Sequence, residues 1–576
     1  MSLSSSCVRR VHPLALMIFA MASSARAQEA PVSPVTITPN TLAPDQRDKG
    51  FRVEIPETGA LKPPAGAESM AVTLGTVSVE GGFPEVANQV AAVTKRIEGK
   101  RVSLAQIYAM VSEIEAIHAR AGYVLARISV PPQNLADNAT MRLVMTDGFI
   151  ETVDVSALPK RIQGPILARA GKLVGQHHVT MREIENKLML TSDLPGLTLR
   201  STLMRGNEPG GTKLVLEGNH QLVSGSLAVG RMFDPSLGDW GVMAGIAINS
   251  AFGLGEQIYG LASSEYRLDN LFNDNSRARV TGAGAVLPLA DGRFTINPEV
   301  TYARTAPDAA SGAVDTVGTL RRLTVRGYAS LLRMRDEQTG LNLAVEQIEE
   351  TNKAPSFDTD ISRDRYLAAR FGADWSRQTT SGERYALHVK LSQGLGDLAA
   401  ISAAKAEARG VPYSRTGAAN DFTKLSVEMG ASWKPSPHSV IALSARGQSS
   451  FDHALFRAEQ FSLEGSDGLS AYVGGYTAVD SGVVARGEAI LAVRTGSDEG
   501  VLPFVMPYVF GALGAGWIEQ PTAVEKHAIS AFNLGGGLRA SVAERLSLSI
   551  EYAHGISDTA RLNQVDRVNV NATLRF

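Results

Sequence analysis

The sequence predicts two small α+β units followed by an all-β transmembrane barrel of about sixteen antiparallel strands. Three observations carry that prediction. The chain ends R-V-N-V-N-A-T-L-R-F, where Val568, Val570, Ala572, Leu574 and Phe576 alternate with Arg567, Asn569, Asn571, Thr573 and Arg575. Side chains of a strand alternate sides, so one face is apolar and the other wet. Two stretches before residue 220 repeat one order of strand and helix patterns. After about residue 221 the helical stripes vanish, glycine concentrates, and strand-like segments of about ten residues alternate with turns.

The elements follow in order. Arg9, Arg10 and His12 precede an apolar run from Leu14 to Ala22, and Ala25-Arg26-Ala27 offers a small-residue cleavage site before Gln28. Residues 1–27 read as a secretory signal; the run is too short to span a bilayer. No later stretch approaches the roughly 18 uninterrupted apolar residues of a spanning helix. The mature chain is therefore expected to be exported, and either soluble or a barrel. The single cysteine, Cys7, lies inside the signal, so disulfides, redox CxxC chemistry and Cys-ligated zinc are excluded from the mature chain. Lys+Arg number 56 against Asp+Glu 58, a net charge of −2, which gives no basic excess to hold nucleic acid.

Residues 28–72 read as a linker, because Pro31, Pro34, Pro39, Pro44, Pro56, Pro63 and Pro64 break any long helix. Only Asp45 to Phe51 suits a short helical piece. Residues 73–150 read as one compact unit. Leu74 to Val79 is a strand, Pro84 to Ile97 is helical, Ser103 caps a second helix, and strands follow at Tyr123 to Val130 and Thr140 to Thr146. Residues 151–219 repeat the order. Thr152 to Val155 is a strand, Pro165 to Lys172 and Thr180 to Leu190 are helical, and Leu197 to Arg205 and Thr212 to Glu217 are strands. Residues 220–576 hold the barrel, from Ser224–Phe233 to a closing strand, Arg567–Phe576, that should pair with the first. Two connections exceed a tight turn, Gly396 to Asp421 and Phe451 to Ser481. Loops of that length in a compact domain are functional or disordered.

A half-buried strand of a soluble sheet shows the same alternation as the last ten residues. The bare aromatic at Phe576 tilts the reading to a membrane strand, since bacterial outer-membrane barrels carry a terminal aromatic as an assembly signal. Other constellations are set aside. His118, His177 and His178 lack further ligands at metal spacing. Gly511-Ala-Leu-Gly-Ala-Gly516 lacks the strand–turn–helix context of a nucleotide loop. No G-x-S-x-G elbow occurs, and Glu346, Glu349 and Glu350 read as lumen or rim charges. No enzyme activity, cofactor or metal is expected.

The segment Gly122-Tyr-Val-Leu-Ala-Arg-Ile-Ser-Val-Pro-Pro-Gln-Asn-Leu135, followed by Thr146-Asp-Gly-Phe-Ile-Glu-Thr-Val153, resembles the first periplasmic POTRA domain of two-partner secretion (TpsB) transporters. These are the exporters of haemolysins and filamentous haemagglutinins. Leu194-Pro-Gly196 and Gly210 to Leu216 resemble their second POTRA domain, and Ser250 to Ile258 resembles a turn early in their barrel. The motifs occur in family order along nearly the whole mature chain.

The resemblance implies a sixteen-stranded outer-membrane barrel that exports one large unfolded partner, with its POTRA domains in the periplasm. It implies substrate capture around Gly122, Tyr123, Arg127, Pro131, Gln133 and Leu135. An exposed sheet edge can accept an extended peptide through main-chain bonds. It also implies a long loop folded into the pore, whose V-R-G-Y arginine pairs with an aspartate of the wall. The string Val325-Arg-Gly-Tyr328 reads as a decoy, because it sits in the strand-like run Leu320 to Met334. The corresponding loop is Phe461 to Tyr472, with Gly465, Ser470, Ala471 and Tyr472, leading to Asp480 and Gly482. Ser470 takes the arginine's place. On the wall, Phe510, Ala512 and Gly514 mark the partner site, and Ala512 takes the aspartate's place. Loss of both partners of a buried pair can be neutral where loss of one is not, so the lock is expected to be weaker or differently made. The resemblance also places Asp45 to Gly50 as a possible remnant of a plug, beside the plainer linker reading. The transporter is expected to act as a monomer, to sit in lipid, and to need barrel-assembly machinery and periplasmic chaperones for its biogenesis. Rival functions are an assembly insertase of the same superfamily and a simple porin.

Overall fold

The structure, a computed structural model, describes residues 32–44, 52–54, 63–134, 136–266, 275–289, 291–309, 313–494, 504–523, 525–542, 545–558 and 564–576. The predicted signal peptide and Asp45 to Phe51 lie outside the described residues.

In the first unit α1 (Ala87–Thr94) and α2 (Leu104–Arg120) cover one face of a sheet ordered Val77–Glu80, Met141–Thr146, Arg127–Ser129. Val90, Val93, Ile107, Met110, Ile114 and Ile117 form the helical side of its core. Ser103 and Gln106 close a capping box that starts α2. The predicted strand Tyr123 to Val130 shrinks to Arg127–Ser129. Gly122 adopts φ +100° just past α2, and Tyr123 turns to stack on Phe83 with ring centroids 4.2 Å apart, which removes both from the sheet.

In the second unit α3 (Lys160–Ala170) and α4 (Met181–Ser192) pack on a sheet ordered Arg52–Glu54, Leu197–Arg205, Gly211–His220, Phe149–Asp154. Helix α3 starts ahead of the predicted Pro165. Ile162 and Ile166 both point into the core, and that burial outweighs the cost of a proline one turn in. The N-terminal strand Arg52–Glu54 pairs in parallel with Arg200 to Thr202, so part of the supposed linker belongs to this sheet.

The barrel closes through β1 (Val223–Gly230), β2 (Gly241–Asn249), β3 (Gln257–Glu265), β4 (Ala278–Leu289), β5 (Phe294–Thr305), β6 (Val317–Arg333), β7 (Glu337–Ala354), β8 (Thr359–Gln378), β9 (Arg384–Gly394), β10 (Thr423–Ser436), β11 (Ser439–Ser449), β12 (Ser481–Leu491, continued by Val493–Arg494), β13 (Phe504–Trp517), β14 (Ala528–Val542), β15 (Leu546–Ser557) and β16 (Gln564–Arg575). Closure gives every strand two neighbours, the condition for backbone in lipid. Leu343, Val345, Phe371, Val509, Leu513 and Ile550 face outward and are exposed, as a lipid-facing band requires. The strands number the predicted sixteen, but β7 and β8 run well beyond the expected length of about ten residues. Their extra residues carry paired charges, Glu349 with Arg363 and Lys353 with Asp360. Main-chain pairing there continues past the height at which apolar alternation ends.

The closing register runs from Ser226 opposite Arg575 to Gly230 opposite Asn571. Phe576 adds two more bonds with Gly225, donating to its carbonyl at 3.0 Å and accepting from its N–H at 2.8 Å. Its ring lies over Gly225, where a Cβ would come within 2.6 Å, so the terminal aromatic needs a glycine beneath it.

The second unit docks on the short-turn end of the barrel. Arg333 donates twice to Asp193, both at 2.9 Å. Lys172 and Lys187 reach Asp291, in the β4–β5 turn, at 3.1 and 3.0 Å. Burial alone would raise the Asp291 carboxyl; the two lysines outweigh it and hold the group well below the ordinary carboxylate range.

Candidate functional site: an obstructed lumen

The connection from β11 to β12, residues 450–480, folds into the barrel. Glu459 anchors its first half and is almost fully buried. Its carboxylate accepts from Arg370 at 2.7 and 3.1 Å and from the Tyr366 hydroxyl at 2.9 Å, and pairs with Lys424 at 2.8 Å. Asp480 anchors the end, accepting from the N–H groups of Leu455 and Glu519 at 3.0 and 2.7 Å and meeting Arg415 of the other long connection at 3.3 Å. Glu464 ties the loop to itself, accepting from Gly475 and Thr477 N–H groups at 2.9 and 3.0 Å. Between these anchors Leu463, Leu469, Ala471, Tyr472 and Val479 are buried against Val484, Tyr508, Phe510 and Ala512 of the wall.

Small wall residues make room for this loop. A Cβ on Gly555 of β15 would meet Ala471 and the Tyr472 ring at 2.8 Å, and one on Gly514 would meet Leu469 at 3.2 Å. Gly482 lies beside Val479 and Gly465 adopts φ +117° within the loop.

Ser470 stands at the tip. Its hydroxyl accepts from Arg486 of β12 at 3.0 Å, and its carbonyl accepts from Asn569 of β16 at 2.9 Å. With its amide oxygen toward the loop, Asn533 accepts from the N–H groups of Ser470 and Ala471 at 3.0 and 3.2 Å. Arg486 lies opposite Ala512 in the ladder, pairs with Glu551 at 2.6 Å and Glu488 at 2.8 Å, and sits 3.6 Å from the centroid of the Phe510 ring. The guanidinium expected on the loop is therefore on the wall, and the loop contributes a neutral acceptor. The string Val325 to Tyr328 lies in β6, where Arg326 meets Glu299 at 3.1 Å.

A second obstruction comes from residues that read as linker. Residues 32–44 lie inside the barrel, with a short 3-10 turn at Pro34–Ile37. The wall holds their main chain. Thr305 donates to the Val32 carbonyl at 2.6 Å, Arg326 to that of Asn40 at 2.7 Å, and Arg322 to that of Pro39. Glu299 accepts from the Leu42 N–H at 2.8 Å, and Ser33 donates to Glu350 at 2.7 Å. Leu42 packs on Ala247 and Tyr259. Composition hid this segment, because most of its bonds use its main chain and its few buried side chains follow no period. Arg486, Glu488, Glu299 and Glu551 were also missed; their period-two placement on strands of otherwise small or apolar residues was the available signal.

Of the six residues predicted to capture substrate, the five that are described make separate contacts. Gly122 accepts from the Met181 N–H at 2.8 Å and, with Tyr123, belongs to the junction of the two units. Arg127 folds back on the carbonyls of Val124 and Ala126, both at 2.8 Å. The Gln133 amide accepts from the Arg142 N–H and donates to its carbonyl, both at 2.8 Å, standing in for a strand where Arg127–Ser129 is too short. Pro131 is half-buried in the same turn, and Leu135 lies outside the described residues.

Comparison with known proteins matches this architecture. Residues 72–148 match the model of a POTRA domain of the ShlB type. Residues 210–536 match the model of the haemolysin secretion/activation protein family ShlB/FhaC/HecB. The heme/hemopexin transporter protein HuxB of Haemophilus influenzae (strain 86-028NP) is 23% identical over 178 residues, 30% of this chain. That match spans 31% of the relative's own length. Among solved structures, CdiB from Escherichia coli covers 90% of this chain and 93% of its own at 17% identity, with a TM-score of 0.67. CdiB from Acinetobacter baumannii covers 88% and 91% at 15% identity, with a TM-score of 0.59. These two structures share the fold, and the family model, covering more than half of the sequence, shows that the chain belongs to the haemolysin secretion/activation proteins of the ShlB/FhaC/HecB family.

Proposed function

We propose that the protein is a two-partner secretion transporter of the bacterial outer membrane, conducting one large unfolded partner protein from the periplasm to the cell surface. One observation carries this reading. The lumen already binds a polypeptide of little regular structure, residues 32–44, by its main chain. Main-chain bonds ignore sequence, as passage of an unfolded chain requires. The outer strands Val77–Glu80 and Arg127–Ser129 offer similar chemistry outside the barrel once a peptide displaces Glu98 and Glu115, which accept from the N–H groups of Val77 and Ile128, both at 3.0 Å, and the predicted residues Gly122, Tyr123 and Gln133 shape the turn beside them. The inward loop, with Ser470 to Tyr472 at its tip, gates the pore. Phe576 acts in assembly rather than transport. Folding of the partner outside would drive export. The transporter acts as a monomer, and depends on barrel-assembly machinery and periplasmic chaperones only for its own biogenesis.

The test is co-expression with a large exported protein, should the neighbouring reading frame encode one, and measurement of its secretion. Deleting residues 73–218 should abolish its secretion; continued secretion would refute the capture role. Deleting residues 466–477 should change conductance in planar bilayers, and unchanged conductance and secretion would refute gating. Depletion that lowers many outer-membrane proteins instead of one secreted protein would identify an insertase.

A further inference from the structure

A cavity of about 290 Å³ lies where the second α+β unit meets the open end of the barrel. Arg169 and Asp193 line it from the unit, and Tyr328, Ser330 and Arg333 line it from β6. Arg169 is 5% exposed, and its Nη1 has no hydrogen-bond partner among the described residues. The Ser330 hydroxyl, 6% exposed, has none either. The turns around Arg169 are glycine where it passes. A Cβ on Gly292 would fall 2.5 Å from its Nε, and one on Gly255 3.5 Å from its Nη2.

Nearby carboxylates are already engaged. Asp193 is held by Arg333, and Asp291 by Lys172 and Lys187. A buried guanidinium with a free donor costs free energy unless an acceptor meets it. The hydroxyl of Tyr328 accepts from Gln338 at 3.3 Å, which leaves its own proton available to donate. Arg169, Ser330 and Tyr328 thus present donors to one small cavity that opens on the lumen face of β4 to β7.

We propose that this cavity is a carboxylate subsite at the pore entrance, in which Arg169 meets acidic side chains of the extended polypeptide entering the barrel. The inference rests on the transport reading and adds a chemical preference to it. The single unpartnered Nη1 donor of Arg169 matches one carboxylate oxygen, the acceptor that an acidic side chain presents. Its lumen-side position matches the path of a chain rather than that of a lipid.

The test uses the full-length protein in detergent micelles and two fluorescein-labelled peptides of alternating serine and valine, one with a central glutamate and one with glutamine. The glutamate peptide should bind about tenfold more tightly, the worth of one charge-assisted hydrogen bond. Arg169→Gln should remove that preference and leave binding of the glutamine peptide unchanged, while Arg169→Lys should keep part of it. A merely structural arginine would, when replaced, weaken both peptides alike. Ser330→Ala is a smaller change in the same cavity and should lower only the affinity for the glutamate peptide. Equal binding of both peptides to the unaltered protein, or full preference in Arg169→Gln, overturns the proposal. So does stronger competition by inorganic phosphate than by acetate. Discrimination without export of any partner would refute the transport reading alone, and export without discrimination would refute the subsite alone.

Discussion

Residues 32–44 and the loop 450–480 fill the same lumen, yet they are held by different physics. The loop buries five apolar side chains against the wall and inserts Glu459 between Arg370 and Lys424. The N-terminal segment buries only Val32, Ser33, Pro34 and Leu42, and most of its bonds to the wall use its own main chain, with the Ser33 and Thr41 hydroxyls adding to them. A broad apolar contact around a charge cluster resists removal, whereas a short segment held by a few hydrogen bonds leaves at a smaller cost, since the wall groups it uncovers can bond water instead. One obstruction is built into the barrel wall, and the other is suited to leave it and return.

Removing residues 32–44 gives the largest expected change. Conductance in planar bilayers should rise severalfold, while the temperature at which the folded barrel unfolds on gels stays close to that of the intact chain. Unchanged current would mean that the segment obstructs nothing, and the contrast would fail. Glu459→Ala should act in the opposite sense. It takes the carboxylate partner from Lys424, while Arg370 keeps Glu346 at 2.7 Å, and should cost about 3–5 kcal/mol, read as a lower unfolding temperature of the barrel. A neutral result would show that water reaches Lys424.

This contrast was only half legible in the sequence. The strands were readable because lipid and lumen impose a period of two, and the first helix pair because Ser103 caps its second member where an apolar stripe begins. The inward loop was legible from its length and its resemblance to a known loop. The N-terminal segment was not, since prolines break helices equally in a linker and in a plug. Arg486 escaped notice for another reason. A single charge on a strand reads as lumen lining, and only the fold brings it opposite Ala512 and under Ser470.

Gly555→Val should sharpen the contrast within the loop. The added side chain would overlap Ala471 and the Tyr472 ring, pushing the tip from the wall at about 1–3 kcal/mol. Hydrogen exchange over the loop should quicken, while exchange over residues 32–44 stays as it was. Faster exchange in both would show that the two obstructions move together.

The smallest effect belongs to the residue that replaces the expected arginine. Ser470→Ala removes one hydroxyl that accepts from Arg486 and donates to the Asn533 amide oxygen. Arg486 keeps Glu551, Glu488 and the Phe510 ring, so no charge is stranded. The main-chain bonds to Asn569 and Asn533 also survive, because they do not use the serine side chain. The loss should be about 1 kcal/mol or less, with conductance unchanged. Arg486→Met, by contrast, leaves Glu551 with only the Tyr508 hydroxyl, its bond at 2.8 Å, and should cost more. If Ser470→Ala proved the more damaging of the two, the tip hydroxyl would be the lock. If Arg486→Met is the more damaging, the charge that secures the pore lies in the wall, and the loop is held chiefly by what it buries.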